Sequence, residues 1–244
     1  MVNSPEFREK EQSEKVPLVV IIGGGSRLPP IIEHAQQPDS LVQISAVFSH
    51  KKESPGIRLA NKCQIPAFFA NLPRWKRLPR RGQEVYDRET YNSCLGEFIS
   101  ERYFEKNGVK GLVVMVGWDL IMSEKFLKHF QAEDGHFRAI NLHPALLPDD
   151  LENKEVTLSN GEKIPVLRGM HSNQAFKETL KRSLKWSGAT VHFVTPEVDA
   201  GPVVLRGEVP VLAGDTVESL AARVHEKEDV ILPKAIDMIL RGLI

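Results

Sequence analysis

From Val16 to Ile22 the chain reads VPLVVII, seven residues without a charge, and it then runs straight into three glycines, Gly23 to Gly25. A continuous apolar run of that length, stopped by glycine, is the pattern of a strand buried on both faces. Such strands belong to parallel sheets covered by helices on either side. The chain repeats this theme. A helical stretch at 31–36 leads to the strand VQISAVFS at 42–49, a helix at 57–63, a short strand at 67–69 and a long amphipathic segment at 84–106. GLVVMVG at 111–117 reads as a second fully buried strand, followed by a helix at 123–130 with Ser123 as its N-cap and by the strand FRAINLH at 137–143. Strand alternating with helix specifies an α/β fold: a doubly wound, mostly parallel sheet with helices on both faces. In such sheets ligands bind in loops at the carboxyl ends of the strands.

The second half is less regular. Residues 149–167 hold two short β-prone pieces around Ser159, Asn160 and Gly161, a hairpin signal, and read as an inserted excursion. A helix at 173–184, strands at 189–194 and 202–211, and a final helix at 216–239 capped by Asp215 complete the chain.

Composition narrows the function. Lys and Arg number 32 against 32 Asp and Glu, so no surplus of positive charge exists to release counterions from a polyanion, and a nucleic-acid partner is not expected. No apolar run approaches the roughly 18 residues that cross a bilayer, so no membrane partner is expected. Residues 1–15 mix charges of both signs without an apolar centre and read as a disordered tail, not a secretory signal. The two cysteines, Cys63 and Cys94, stand far apart without a CxxC, which indicates neither zinc nor a disulfide framework. The expectation is a cytoplasmic protein, monomer or homodimer, acting on small molecules.

Three loops carry chemistry. GGGSRLPP (23–30) follows the first strand, where glycine backbone N–H groups and the positive end of the next helix suit a phosphate, with Ser26 and Arg27 as added donors. Leu28 occupies the third glycine's place of a dinucleotide fingerprint and no Gly-Lys-Ser/Thr is present, which disfavours NAD and excludes a Walker loop. A glycine turn without a ligand is the simpler alternative. INLHPALLP (140–148) puts Asn141 and His143 two apart at a strand end, hence on one face. TPEVDAGPVV (195–204) offers Asp199, either as a reacting carboxylate or as a cap of its own turn. His143 could equally be a hydrogen-bonded structural residue, His192 an interior one and His171 a helix N-terminal one. The basic run RWKRLPRR (74–81), with Trp75, reads as a solvated loop in preference to a phosphate clamp.

Together these loops resemble the phosphoribosylglycinamide formyltransferase family. AVFSHKKESPGIRLANKCQIP (46–66), YDRE (86–89), INLHPALLP, GATVHFVTPEVDAGPV (188–203) and GDTVESLAARVHEKEDVILP (214–233) stand in that family's order and spacing. The resemblance implies a Rossmann-like formyltransferase fold, with residues 16–244 as one domain carrying the excursion at about 149–167. It implies formyl transfer from 10-formyltetrahydrofolate, as co-substrate, to the amine of glycinamide ribonucleotide in purine biosynthesis, with no metal. It further implies that Gly25, Ser26 and Arg27 hold the substrate phosphate, that Glu228 lies at its ribose or glycinamide end, and that Asn141, His143 and Asp199 are catalytic. Gly117, Trp118, Asp119, Leu120, Ile121 and Met122, with Asn141 and the 195–199 loop, would hold the folate. Arg27 stands where the family has Asn, and Asp119 and Leu120 stand where its folate loop carries Arg. The excursion is either a lid or a surface feature. Another amine acceptor such as an amino sugar nucleotide, hydrolysis of the formyl folate, or a non-catalytic ligand sensor are the rival readings.

Overall fold

A computed structural model describes residues 15–70, 87–104, 110–133, 135–170 and 172–242. The basic run at 74–81, Trp75, Tyr86, His171 and the tail before residue 15 lie outside them.

Seven strands form the main sheet: β1 (Val16–Ile22), β2 (Val42–Ser49), β3 (Ala67–Phe69), β4 (Leu112–Val116), β5 (Ala139–His143), β8 (Trp186–Phe193) and β9 (Val203–Pro210), in the order β3-β2-β1-β4-β5-β8-β9. The first five strands pair in parallel. β8 runs antiparallel to both β5 and β9 and is the one reversed strand of this sheet. Strand period two explains the double winding. Leu18, Val20 and Ile22 pack on one side with α1 (Leu28–Ala35), α2 (Pro55–Lys62), α5 (Ser172–Lys181) and α6 (Val217–Leu240). Val19 and Ile21 pack on the other with α3 (Arg88–Ile99) and α4 (Glu124–Leu127). Both sets are fully buried, which is why β1 reads as an unbroken apolar run.

Several boundaries differ from the sequence reading. The long segment at 84–106 is, in its described part, α3 followed by a π-helical turn at Ser100–Phe104, with Asp87 capping through Thr90 N at 2.8 Å. Ser123 does hold the N-cap position of α4, but its side chain makes no capping bond. The final helix is capped by Thr216, not Asp215: Thr216 and Ser219 form a reciprocal capping box, and Asp215 is drawn away by Arg223, Ser219 and the Leu212 N–H. β8 starts at Trp186, three residues ahead of the apolar alternation, because Ser187 and Gly188 continue the pairing with β9. The excursion folds as the expected hairpin, β6 (Glu155–Thr157) against β7 (Lys163–Pro165). It packs beside the antiparallel end of the sheet, burying Leu146, Val156, Leu158 and Ile164 with Val166 and Trp186 packed against them. Among the described residues no helix is long and apolar enough to cross a membrane.

Candidate active site

The carboxyl ends of β1, β4 and β5 open into one cleft of about 450 Å³, a volume suited to a small-molecule ligand. Every residue singled out from the sequence as substrate-binding, folate-binding or catalytic lines it: Gly25, Ser26 and Arg27; the stretch 117–122; Asn141, His143, Asp199 and Glu228.

At the end of β1 the chain turns at Gly25 with φ +88°. A Cβ there would lie 2.6 Å from the Gly56 Cα at the start of α2, so glycine is required both by conformation and by close backbone approach. The loop is pinned from beneath: Ser49 Oγ donates to Gly23 O at 2.8 Å, and Ser54 Oγ donates to Gly23 O and Gly24 O at 3.1 and 3.0 Å. Arg27 sits at the N-cap of α1 but does not cap it. Its guanidinium turns toward α6 instead, donating to His225 O at 3.0 Å and Asp229 Oδ1 at 2.8 Å, with Nε 3.9 Å from Glu228 Oε2. The sequence reading aimed this side chain at phosphate. Carboxylates some two hundred residues away in sequence draw part of it aside. Burial pushes the Glu228 carboxyl up to about 7, Asp229 adds to the rise, and Arg27 opposes it.

On β5, Ile140 and Leu142 enter the core, so Asn141 and His143 take the opposite face. Asn141 pairs across the sheet with His192 of β8, and Asn141 Nδ2 lies 3.3 Å from His192 Nε2. His192 Nδ1 donates to Phe193 O at 2.8 Å, which leaves Nε2 to accept from the Asn141 amide and so orients that amide. Burial drives His192 down to about 4 against the nearby Asp199 charge, so the ring is neutral at pH 7. His143 is buried. Its Nε2 donates to Leu167 O at 3.0 Å and its Nδ1 lies 3.2 Å from Asp199 Oδ2. Both ring nitrogens thus face oxygen acceptors, which fixes the plane of the ring. Asp199, in left-handed backbone at φ +52°, also accepts from Gly169 N at 2.8 Å. Its burial opposes ionisation, but His143, the Gly169 N–H and His192 hold the carboxyl down at about 2. Asp199 therefore bonds across the cleft and not within its own turn.

At the cleft mouth Asp119 pairs with Lys51 at 3.0 Å and His50 at 3.2 Å. The His50 ring meets Trp118 edge-on at 4.7 Å. Sequence reading missed Lys51, His225, Gly169 and the Leu167 carbonyl, and it took His192 for a merely interior histidine. Among the described residues no cluster of His, Cys, Asp and Glu is placed to hold a metal ion.

A strand-end Asn and His, the His facing an Asp carboxylate at 3.2 Å beside a glycine loop suited to an anion, brings an amide donor and a proton-transfer pair to one cleft. The model of the formyl transferase family matches residues 16–236, and the chain belongs to that family. Within it the similarity is to phosphoribosylglycinamide formyltransferases. That of Dictyostelium discoideum is 32% identical over 223 residues, covering 91% of this chain and 96% of that one. The trifunctional purine biosynthetic protein adenosine-3 of Gallus gallus is 31% identical over 96% of this chain, which spans only 19% of that relative's length. Among solved structures, glycinamide ribonucleotide transformylase 1 from Symbiobacterium toebii superposes with a TM-score of 0.73 at 26% identity, covering 95% of this chain and 90% of that one.

Proposed function

We propose that the chain transfers a formyl group from 10-formyltetrahydrofolate to the amine of glycinamide ribonucleotide, as a cytoplasmic step of purine biosynthesis carried by one domain from residue 16 onward. The observation that carries this reading is the convergence of Asn141, the His143–Asp199 pair, the Gly25 loop and Glu228 in one cleft of a chain of this family.

In this reading the amine nitrogen attacks the formyl carbon, the carbonyl becomes a tetrahedral oxyanion, and the bond to the folate nitrogen then breaks while a proton passes from the amine to that nitrogen. Asn141, its amide oriented by His192, donates to the oxyanion. His143, fixed between the Leu167 carbonyl and Asp199, sets the position of the Asp199 carboxylate, which orders a water that carries the proton between the two nitrogens. Backbone N–H groups of Gly25 and Ser26 take the substrate phosphate at the start of α1, where the helix dipole favours an anion. Arg27 contributes charge there while tying the loop to α6. Glu228 faces the ribose or glycinamide end, and the walls at 117–122 and 195–199 take the pterin.

The test is direct. Purified protein mixed with both substrates should show the absorbance change of deformylated folate and a product heavier by one formyl group. The change without any acceptor identifies a hydrolase, and the change only with another amine, such as an amino sugar nucleotide, identifies another acceptor. Binding without turnover identifies a sensor. Asn141→Ala and His143→Ala should each lower kcat by roughly 10²-fold or more, as loss of an oxyanion donor does.

A further inference from the structure

Residues 149–167 pass close to the reacting groups, yet none of the described residues that line the cleft comes from this stretch. The hairpin is instead fastened at several points. Ser159 donates from N and Oγ to the two Glu208 carboxylate oxygens on β9, at 2.7 and 2.6 Å. Trp186 Nε1 donates to Glu162 Oε2 at 3.0 Å, and Val166 N donates to Lys154 O at 3.0 Å across its base. Arg206 grips the entry to the excursion through Leu147 O and Asp149. Beneath lies the apolar layer around Leu146 and Val156.

Two residues beyond the end of β7 the chain reaches Leu167, whose carbonyl accepts from His143 Nε2, and two further on Gly169, whose N–H donates to Asp199. The exit from the hairpin therefore holds both residues, His143 on the ring nitrogen turned away from Asp199, and Asp199 on the same Oδ2 that faces His143. Neither contact uses a side chain of the exit segment, so their geometry depends on where the backbone is held. The Leu167 side chain seats it against Ala145 and Ala175, Arg168 ties it to Leu151 O at 2.9 Å, and the fastenings above set the hairpin from which it emerges.

Building on the formyl transfer proposed above, we infer that the hairpin is a brace for the reacting pair: clamped by Glu208 and Trp186, it fixes the Leu167 carbonyl as the positioning group that sets the His143 ring against Asp199. A displacement of about 1 Å in such a support is enough to lower turnover by one to two orders of magnitude while leaving substrate contacts in place.

The experiment compares wild type with Glu208→Ala combined with Trp186→Phe, which releases the hairpin without touching the cleft. Expected are a kcat lowered about tenfold or more, KM for both substrates within about twofold, and broadening by solvent exchange of the His143 ring N–H proton signal, identified by its loss in His143→Asn. Glu208→Gln, which keeps one acceptor for Ser159, should restore part of kcat when Trp186 is present. In a second variant three glycines replace residues 152–164, so the brace is absent while Leu167 stays in the chain, and the same losses are expected. Wild-type kcat in either variant overturns the inference. So does a loss in which KM rises in step or the ring N–H signal stays sharp, since that describes general support only. The ring signal is read without substrate, so a failure of formyl transfer in wild type refutes the proposed reaction separately.

Discussion

Glu228 lies 5% exposed on α6 with its carboxyl pushed up to about 7 from an ordinary 4.5, burial outweighing the attraction of Arg27. A folded-state value raised above the unfolded one means that the folded chain binds the extra proton. The stability this confers is fully present below 4.5 and is lost as the pH rises through about 7. A gap of about 2.5 units at about 1.4 kcal/mol each corresponds to about 3.5 kcal/mol, brought to about 2 to 3 by relaxation of the protein around a buried charge. Glu228→Gln keeps the shape and removes the titration. Urea unfolding followed by circular dichroism from pH 4.5 to 8 should show the variant gaining about 2 to 3 kcal/mol relative to wild type across that range. Reading the change with pH cancels whatever the substitution does by itself. Parallel stability curves for the two proteins would refute the reasoning, because they would mean that burial of this carboxylate is not opposed by the fold. The same variant should raise KM for the ribonucleotide, trading binding for stability.

His192 carries the opposite sign. Lowered to about 4, it contributes stability that is present above about 6.5 and lost as the pH falls toward 4, so His192→Asn should lose less stability than wild type over that window, by about 3 kcal/mol in urea titrations. Gly25→Ala forces a Cβ into Gly56 and a left-handed backbone, and should cost about 3 kcal/mol in chemical denaturation while abolishing phosphate protection of the fold. Asp199→Asn removes the charge facing His143 Nδ1 and should lower kcat roughly 10²-fold or more with little change in either KM, measured by steady-state kinetics.

Much of this architecture was readable from local patterns. VPLVVII and GLVVMVG announce strands buried on both faces because their two side-chain sets enter two different cores. Asn141 and His143 share a face by strand period alone, and Ser159–Asn160–Gly161 turns where a hairpin turns. What stayed hidden depends on long-range partners. Nothing near Arg27 signals that Asp229 will draw its guanidinium, and nothing near Asp215 shows that Arg223 will draw it off the cap. The Leu167 carbonyl and Gly169 N–H have no side-chain signature at all. His192 joins Asn141 only because β8 is reversed, and strand direction is not written in an apolar alternation.

That reversal bears on how such a chain tolerates growth. β5 ends and β8 begins at the same edge of the sheet, so the connection between them leaves and returns on one side and has no crossover to complete. Added length costs loop closure, about 0.6 kcal/mol for each doubling, against which the hairpin sets the packing of Val156, Leu158 and Ile164 on Leu146, while the Asn141–His192 register is fixed by the two strands themselves. Extra residues can enter this connection without changing the strand order, and the hairpin within it brings the chain back so that the Leu167 carbonyl meets His143.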